Sequence, residues 1–270
     1  GSDTYPGAGL LATLAASNTG VGMVRLNSTL RVEDLVLHYA PGVVTVGGRI
    51  QSGVIGPGCT NERYEDCREL AQFCIDSKLP LVIDAGALDL VKGLRDYADA
   101  HSRSLSRAIL TPHHGEAARL LTQLGSPRSR ADIDADPAAS AKELALLTGA
   151  VILLKSSTTV CSYLHHDQGN RTQETFSIPQ ETPWAGVAGS GDVLAGAVAG
   201  IAAGFQARAE RRQGNPSISE AECATLASLG AWVHAQAALR ASVGSEGEAR
   251  PIQAIDIARA LPEIIGELCS

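Results

Sequence analysis

Three stretches of this chain, PLVIDAG, ILTPHHGE and VILLKSSTT, share one construction: a few consecutive apolar residues that end at once in a polar or glycine-bearing turn. The apolar residues do not alternate with polar ones, as they would in a strand with one wet face. Strands of this kind are buried on both faces, which requires a mostly parallel sheet covered by helices above and below. Strands are expected at Val21–Leu26, Val43–Val46, Val54–Ile55, Leu81–Asp84, Ala108–Leu110, Val151–Lys155 and Val160–Leu164. Helical periodicity runs through Ala8–Thr19, Glu62–Ser77, Glu116–Leu124, Pro137–Leu147, Asp192–Ala203, Ile218–Arg240 and Ile255–Leu268. Thr158–Leu164 and Thr172–Ile178, either side of HHDQGNR, read instead as an antiparallel hairpin with a polar loop. There is no internal repeat, and the polar stretches Ala207–Pro216 and Gly244–Arg250 read as surface loops rather than linkers.

Composition narrows the partners. A length of 270 residues suits one large α/β domain or two small ones, and 44% hydrophobic with 19% charged residues excludes broad disorder. The formal charge is −7 with four lysines, so a basic nucleic-acid footprint is missing, and aromatic residues reach only 4%. No apolar run approaches the ~18 residues of a membrane span and no signal peptide is visible, so no membrane partner and a cytoplasmic location are expected. The six cysteines have no C-x-x-C spacing and read as reduced thiols.

In an open α/β sheet, ligands gather at the carboxyl ends of the strands. The turns to weigh are YPGAG (5–9), IGPG (55–58), DAGAL (84–88), TPHHGE (111–116) and LKSSTT (154–159), with GSGD (189–192) leading into a helix. GSGD can aim several free amides at one point, where the helix dipole also favours an anion such as phosphate. Asp192 is then either an N-cap or the acceptor of a proton from a substrate hydroxyl beside a transferring phosphoryl group. Glu116 is a solvent-exposed first-turn glutamate or a site acid; Lys155 with its following hydroxyl residues is a polar hairpin edge or a nucleotide contact; Asp84 is a turn aspartate or a site group. Gly196, Gly200 and Gly204 share one helical face, and each costs about 1 kcal/mol against alanine unless something packs close to it. Other matches are discounted. Gly7-Ala8-Gly9-Leu10-Leu11-Ala12 fits a dinucleotide fingerprint without a preceding strand. No Walker A motif is present. Adjacent His113 and His114 are a poor metal pair. Asp132, Asp134 and Asp136 lack the glycine of a calcium loop, and Asp136–Pro137 reads as an N-cap and first helical residue. His165–His166 decorates a hairpin tip, and His234 reads as a packed core residue.

Taken in order, YPGAGLLA, IGPG, LVIDAGAL, TPHHGEAARL, LLKSSTTV and GSGDVLAGAVAGIAAG resemble the ADP/ATP-dependent NAD(P)H-hydrate dehydratases, the C-terminal domain of bifunctional NAD(P)HX repair enzymes. That family lies within the ribokinase-like superfamily. The resemblance implies a single domain over 1–270, a three-layer α/β/α sandwich with a mostly parallel central sheet and a small antiparallel hairpin, and a further first strand before residue 1. It implies that ADP or ATP with Mg2+ phosphorylates the 6-hydroxyl of hydrated NADH or NADPH, after which phosphate leaves. By motif, Asp192 resembles the catalytic aspartate, which also touches the hydrate. Lys155, Ser156, Ser157, Thr158 and Thr159, with Gly189, Ser190 and Gly191, resemble the nucleotide site. Ala8, Gly58 and His113 resemble the substrate contacts, and Glu116 matches an acid that supports magnesium through water. A homo-oligomer, with a tetramer as one form, and an NAD(P)HX epimerase as a working partner are also implied.

The sequence departs from the family pattern at several of these turns. TPHPGE is TPHHGE, D-A-D-A-L is Asp84-Ala85-Gly86, GPGLG is Gly56-Pro57-Gly58-Cys59-Thr60, and LKG is Leu154-Lys155-Ser156. Gly186-Val187-Ala188 stands before GSGD, where a threonine is common. Two alternatives stay open: a kinase of thiazole or pyrimidine alcohols in the same superfamily, and a degenerate nucleotide-binding sensor. Such kinases tend to carry asparagine where His113 stands.

Overall fold

The computed structural model describes residues 1–167, 170–212, 217–244 and 247–270. The tip of the polar hairpin loop at 168–169, and parts of the expected surface loops at 213–216 and 245–246, lie outside the described residues. Six strands form one sheet in sequential order: β1 (Gly53–Ile55), β2 (Leu81–Ile83), β3 (Ala108–Leu110), β4 (Val151–Leu154), β5 (Thr158–Asp167) and β6 (Asn170–Pro179). The first four pair in parallel; β4–β5 and β5–β6 are antiparallel. This is the mostly parallel sheet with an antiparallel hairpin that the resemblance implies, with the hairpin several residues longer than its apolar stretches suggest.

Strand order decides where the helices go. Each parallel step moves to the next strand in one direction, and right-handed crossovers then put every connecting helix on one face. Those helices are α3 (Tyr64–Asp76), α4 (Val91–Ala100), α5 (His114–Gln123), α6 (Arg130–Ala135) and α7 (Pro137–Thr148). The other face is covered by helices from outside the crossovers: α1 (Pro6–Ser17), α8 (Ser190–Ala209), α9 (Glu220–Ala241) and α10 (Ala254–Cys269). Side chains divide accordingly. Leu81, Ile83, Leu110, Ile152 and Leu154 join the core under the crossover helices, while Val82, Ile109, Val151 and Leu153 join the core under α8 and α9. All of these are essentially buried, which explains the unbroken apolar runs; each such side chain contributes about 1.5–3 kcal/mol by leaving water.

Two expected strands do not form. Val21–Leu26 and Val43–Val46 meet through a single parallel bridge, Arg25 to Val44, with Leu26 N donating to Val44 O at 2.9 Å and Val44 N to Val24 O at 3.0 Å. Their apolar side chains are taken by a third, small core. Val43, Val24 and Leu26 pack there with Leu10 of α1 and with Val32 and Val36 of α2 (Leu30–Tyr39), a helix the periodicity did not reveal. Helices α4 and α6 were likewise missed, and α8 continues to Ala209, into what read as the start of a loop. Asp136 does cap α7, its Oδ1 accepting from Ala139 N at 2.9 Å with Pro137 as the first helical residue.

Candidate active site

The carboxyl ends of β2, β3 and β4 bring together three charged residues distant in sequence. Asp84 follows β2 and is only 1% exposed. Its Oδ1 accepts from Thr111 Oγ1 at 2.8 Å and from Lys155 Nζ at 2.6 Å. Lys155 follows β4 and is held in register there, its backbone N donating to Pro112 O at 2.8 Å. Its ammonium also lies 3.8 Å from Glu116 Oε2. Burial works to lower the lysine's pKa, but the carboxylates of Asp84 and Glu116 outweigh it and hold the pKa above its ordinary value.

Glu116 is not the solvent-exposed glutamate that a simple turn would give; it is buried at the start of α5. His113 and Glu116 form a reciprocal cap. His113 Nδ1 accepts from Gly115 N at 3.0 Å and Glu116 N at 3.2 Å, and Glu116 Oε2 accepts from His113 N at 2.8 Å. With Nδ1 used as an acceptor, Nε2 is the ring donor of this exposed histidine, and it lies 3.5 Å from Glu116 Oε1. His114, in the place where proline is usual, pairs with Asp134 of α6.

The GSGD segment enters from the opposite layer. Gly189, at φ +89°, is the N-cap of α8, and a side chain there would run into Leu11 of α1. Ser190 N donates to Val187 O at 3.2 Å and Val193 N to Gly189 O at 3.1 Å. Among the described residues, the amides of Gly191 and Asp192 have no protein acceptor. Two donors therefore stand free at the positive end of a 20-residue helix. Lys155 Nζ lies 3.2 Å from where a Cβ on Gly191 would sit, so a side chain there would press on the ammonium and narrow the space for an anion.

Asp192 is the third residue of α8, and no side-chain bond of it caps the helix. The N-cap reading is therefore set aside. Burial, and then the Asp84 carboxylate, push its pKa up to about 6, against the pull of Lys155. A carboxylate poised there can accept a proton from an alcohol near neutral pH.

Of the residues expected to contact substrate, Ala8 and Gly58 are neighbours. Gly58, at φ +63°, fits against the Tyr5 carbonyl and the Ala8 methyl, so the loop after β1 meets the start of α1. Gly56, at φ +111°, packs on the backbone carbonyl of Asp84. The LKSSTT segment is split: Ser157 and Thr158 are exposed, whereas Thr159 is 1% exposed and its hydroxyl turns back to Ser156 O at 3.4 Å. Ser190 also turns inward. Its Oγ lies 3.1 Å from His234 Nε2, and that nitrogen donates to Ser190 O at 3.1 Å. His234 on α9 is thus more than core filling: it holds the residue just before the free amides. Burial pushes its pKa down to about 4, so the ring is neutral. Asp84, open in sequence between a turn aspartate and a site group, is placed by the structure against Lys155. The link from His234 to Ser190 left no local signal, because 44 residues separate the two.

Magnesium fits the donor set only as a hydrated ion. Among the described residues no three His, Cys, Asp or Glu side chains form a cage. Asp84, Glu116 and Asp192 nevertheless leave a surplus of carboxylate around one lysine, and Mg2+ commonly binds through one or two carboxylates, waters and substrate phosphates.

A family model described as NAD(P)H-hydrate dehydratase matches residues 1–259. The chain belongs to the NAD(P)H-hydrate dehydratase family. It is 36% identical over 208 residues to the bifunctional NAD(P)H-hydrate repair enzyme of Mycobacterium tuberculosis, covering 75% of this chain and 39% of that one. The chain therefore spans well under half the length of that curated relative. Among solved structures, the Bacillus subtilis ADP/ATP-dependent NAD(P)H-hydrate dehydratase, co-crystallised with ATP and Mg2+, superposes with a TM-score of 0.70 at 23% identity, covering 99% of this chain and 87% of that one. A ribokinase-like superfamily protein from Enterococcus faecalis gives 0.67 at 21%, covering 99% and 84%. At those identities the superpositions establish the ribokinase-like fold, while family membership rests on the sequence match. No helix among the described residues is long and apolar enough to cross a membrane.

Proposed function

We propose that this chain restores NADH or NADPH from the hydrated form, using ADP or ATP. The carrying observation is the pair of free amides at Gly191 and Asp192, set beside the Asp192 carboxylate and the Lys155 ammonium. Hydroxide is a poor leaving group and phosphate a good one, so the chemistry needs a phosphoryl donor. The nucleotide supplies the phosphoryl group when bound, and Mg2+ held by water to Glu116 and Asp84 would supply counter-charge. The protein's part is to hold and to deprotonate. Gly191 N and Asp192 N donate to the oxygens of the transferring group; Lys155 adds charge from the side; Asp192 takes the proton of the 6-hydroxyl as its oxygen attacks phosphorus. Half-buried Ser156 and exposed Ser157 and Thr158 face the nucleotide, while Thr159 serves through its backbone. Ala8, Gly58 and His113 Nε2 contact the dinucleotide hydrate. The domain assignment to 1–270, the homo-oligomer, the epimerase partner and the cytoplasmic location are carried on the same reading.

The test is direct. Purified protein, Mg2+, hydrated NADH and either ADP or ATP are mixed, and absorbance of the regenerated dihydronicotinamide is followed. Recovery that requires nucleotide supports the proposal. Phosphorylation of a thiazole or pyrimidine alcohol without NADH recovery would assign a kinase, and nucleotide binding without turnover a sensor.

A further inference from the structure

Cys59 and Cys67 have no part in the chemistry above, yet their sulfurs lie 3.2 Å apart. Neither residue is fully buried. Cys59 sits in the loop after β1, whose turn closes with Cys59 N donating to Gly56 O at 2.8 Å. Cys67 is the fourth residue of α3 and is fixed by that helix. The hydrogen bond from Cys67 holds the Cys59 thiol below its ordinary range, with the Arg63 guanidinium acting in the same direction, while Cys67 is pushed up. One thiol is thus the better thiolate and the other keeps its proton, as a nucleophile and its resolving partner require. A disulfide needs the sulfurs at about 2.05 Å, so closure asks for roughly an ångström of movement between the loop and α3. Gly86 makes room for this loop, because a side chain at 86 would collide with the Cys59 carbonyl. The two departures from the family pattern, at 59 and 86, therefore touch each other.

The geometry points to Cys59 and Cys67 as a two-thiol oxidation site that takes a two-electron oxidant of the peroxide class and closes to an intramolecular disulfide. The Cys59 thiolate attacks one peroxide oxygen; the O–O bond breaks, and the departing hydroxide takes up a proton to leave as water. Cys67 sulfur then attacks the resulting sulfenic sulfur; the S–O bond breaks, and a second water leaves with the Cys67 proton. Two thiols and one peroxide become one disulfide and two waters. The link anchors the loop that carries Gly58, a consequence that rests on the proposed function; the link itself does not.

Trypsin separates the two cysteines, because Arg63 lies between them and Arg49 and Arg68 bound the two peptides. The folded protein is treated with limiting hydrogen peroxide, blocked with iodoacetamide and digested. The expected product is peptide 50–63 joined to peptide 64–68 with the loss of two hydrogens, reversed by dithiothreitol, while the exposed Cys269 is still alkylated. Cys67→Ser is expected to give no linked peptide and a Cys59 sulfenic acid trapped by dimedone. Oxidation of Cys269 with Cys59 and Cys67 both recovered as alkylated thiols would overturn the site, as would a linked peptide that forms only after denaturation. Because the readout is mass, a failure here is distinguishable from a failure of the dehydratase assay.

Discussion

Asp192 carries opposite consequences for stability and for turnover. Its carboxyl titrates near pH 6 in the fold against about 3.8 in the unfolded chain. As pH rises between those values the unfolded chain loses its proton first, so stability falls across that window and the loss persists above 6. Asp192→Asn removes the buried charge and is expected to stabilise the fold at pH 7 by on the order of 1 kcal/mol once partial solvation is allowed for, read as a higher melting temperature. The same change is expected to cut turnover by about 10²–10⁴ while nucleotide affinity stays near that of the parent, as calorimetry would show. The rate itself has the reverse pH sign: the base must be ionised, so kcat/KM is expected to fall with decreasing pH along a limb centred near 6. His234→Leu is expected to weaken nucleotide binding, seen as a higher KM for ADP or ATP with little change in the pH limb, because it frees Ser190 without touching Asp192. His234→Gln keeps a donor and should recover part of the loss. Of these residues, Asp192 and Gly191 were legible from the GSGD string alone. Asp84 and His234 act through partners 71 and 44 residues away, and no local spacing encodes such contacts.

At the scale of elements, the glycines of α8 separate cleanly. A Cβ at Gly196 would strike the Ala12 carbonyl, and one at Gly200 the Thr19 hydroxyl, so α1 and α8 are in backbone contact there. Gly204, on the same face by its spacing, meets nothing within 4 Å and is exposed, so the expectation of a packed neighbour fails at that position because α1 has already ended. Gly196→Ala is therefore expected to destabilise the fold by several kcal/mol, and Gly204→Ala to stabilise it by up to about 1 kcal/mol, both measured by urea unfolding. The buried strands were legible because two-sided burial leaves an unbroken apolar run. The stretches around Val24 and Val44 carry similar local patterns, but their apolar faces are used against α2. Helix α6 has six residues and one buried side chain, Ile133, too little for a periodic signal.

For the whole molecule, ligand binding and stability are linked through a site drawn from both layers. A nucleotide at a hundred times its Kd should stabilise the protein by about 2.7 kcal/mol, read as a rise in melting temperature. Gly191→Val is expected to abolish that rise by filling the space before the free amides and against Lys155. An undiminished rise in that variant would remove the phosphate site from the start of α8.

Sequential strand order has one more outcome. Lys155, Asp84 and Glu116 come from the crossover half of the chain, whereas α8, with its open amides, and α9, with His234, follow β6 and dock on the far side. A nascent chain that has reached only the end of β6 holds Lys155, Asp84 and Glu116 but nothing to receive a phosphoryl group. On the proposed function, a nascent chain becomes able to hold nucleotide only once α8 and α9 have docked on the sheet.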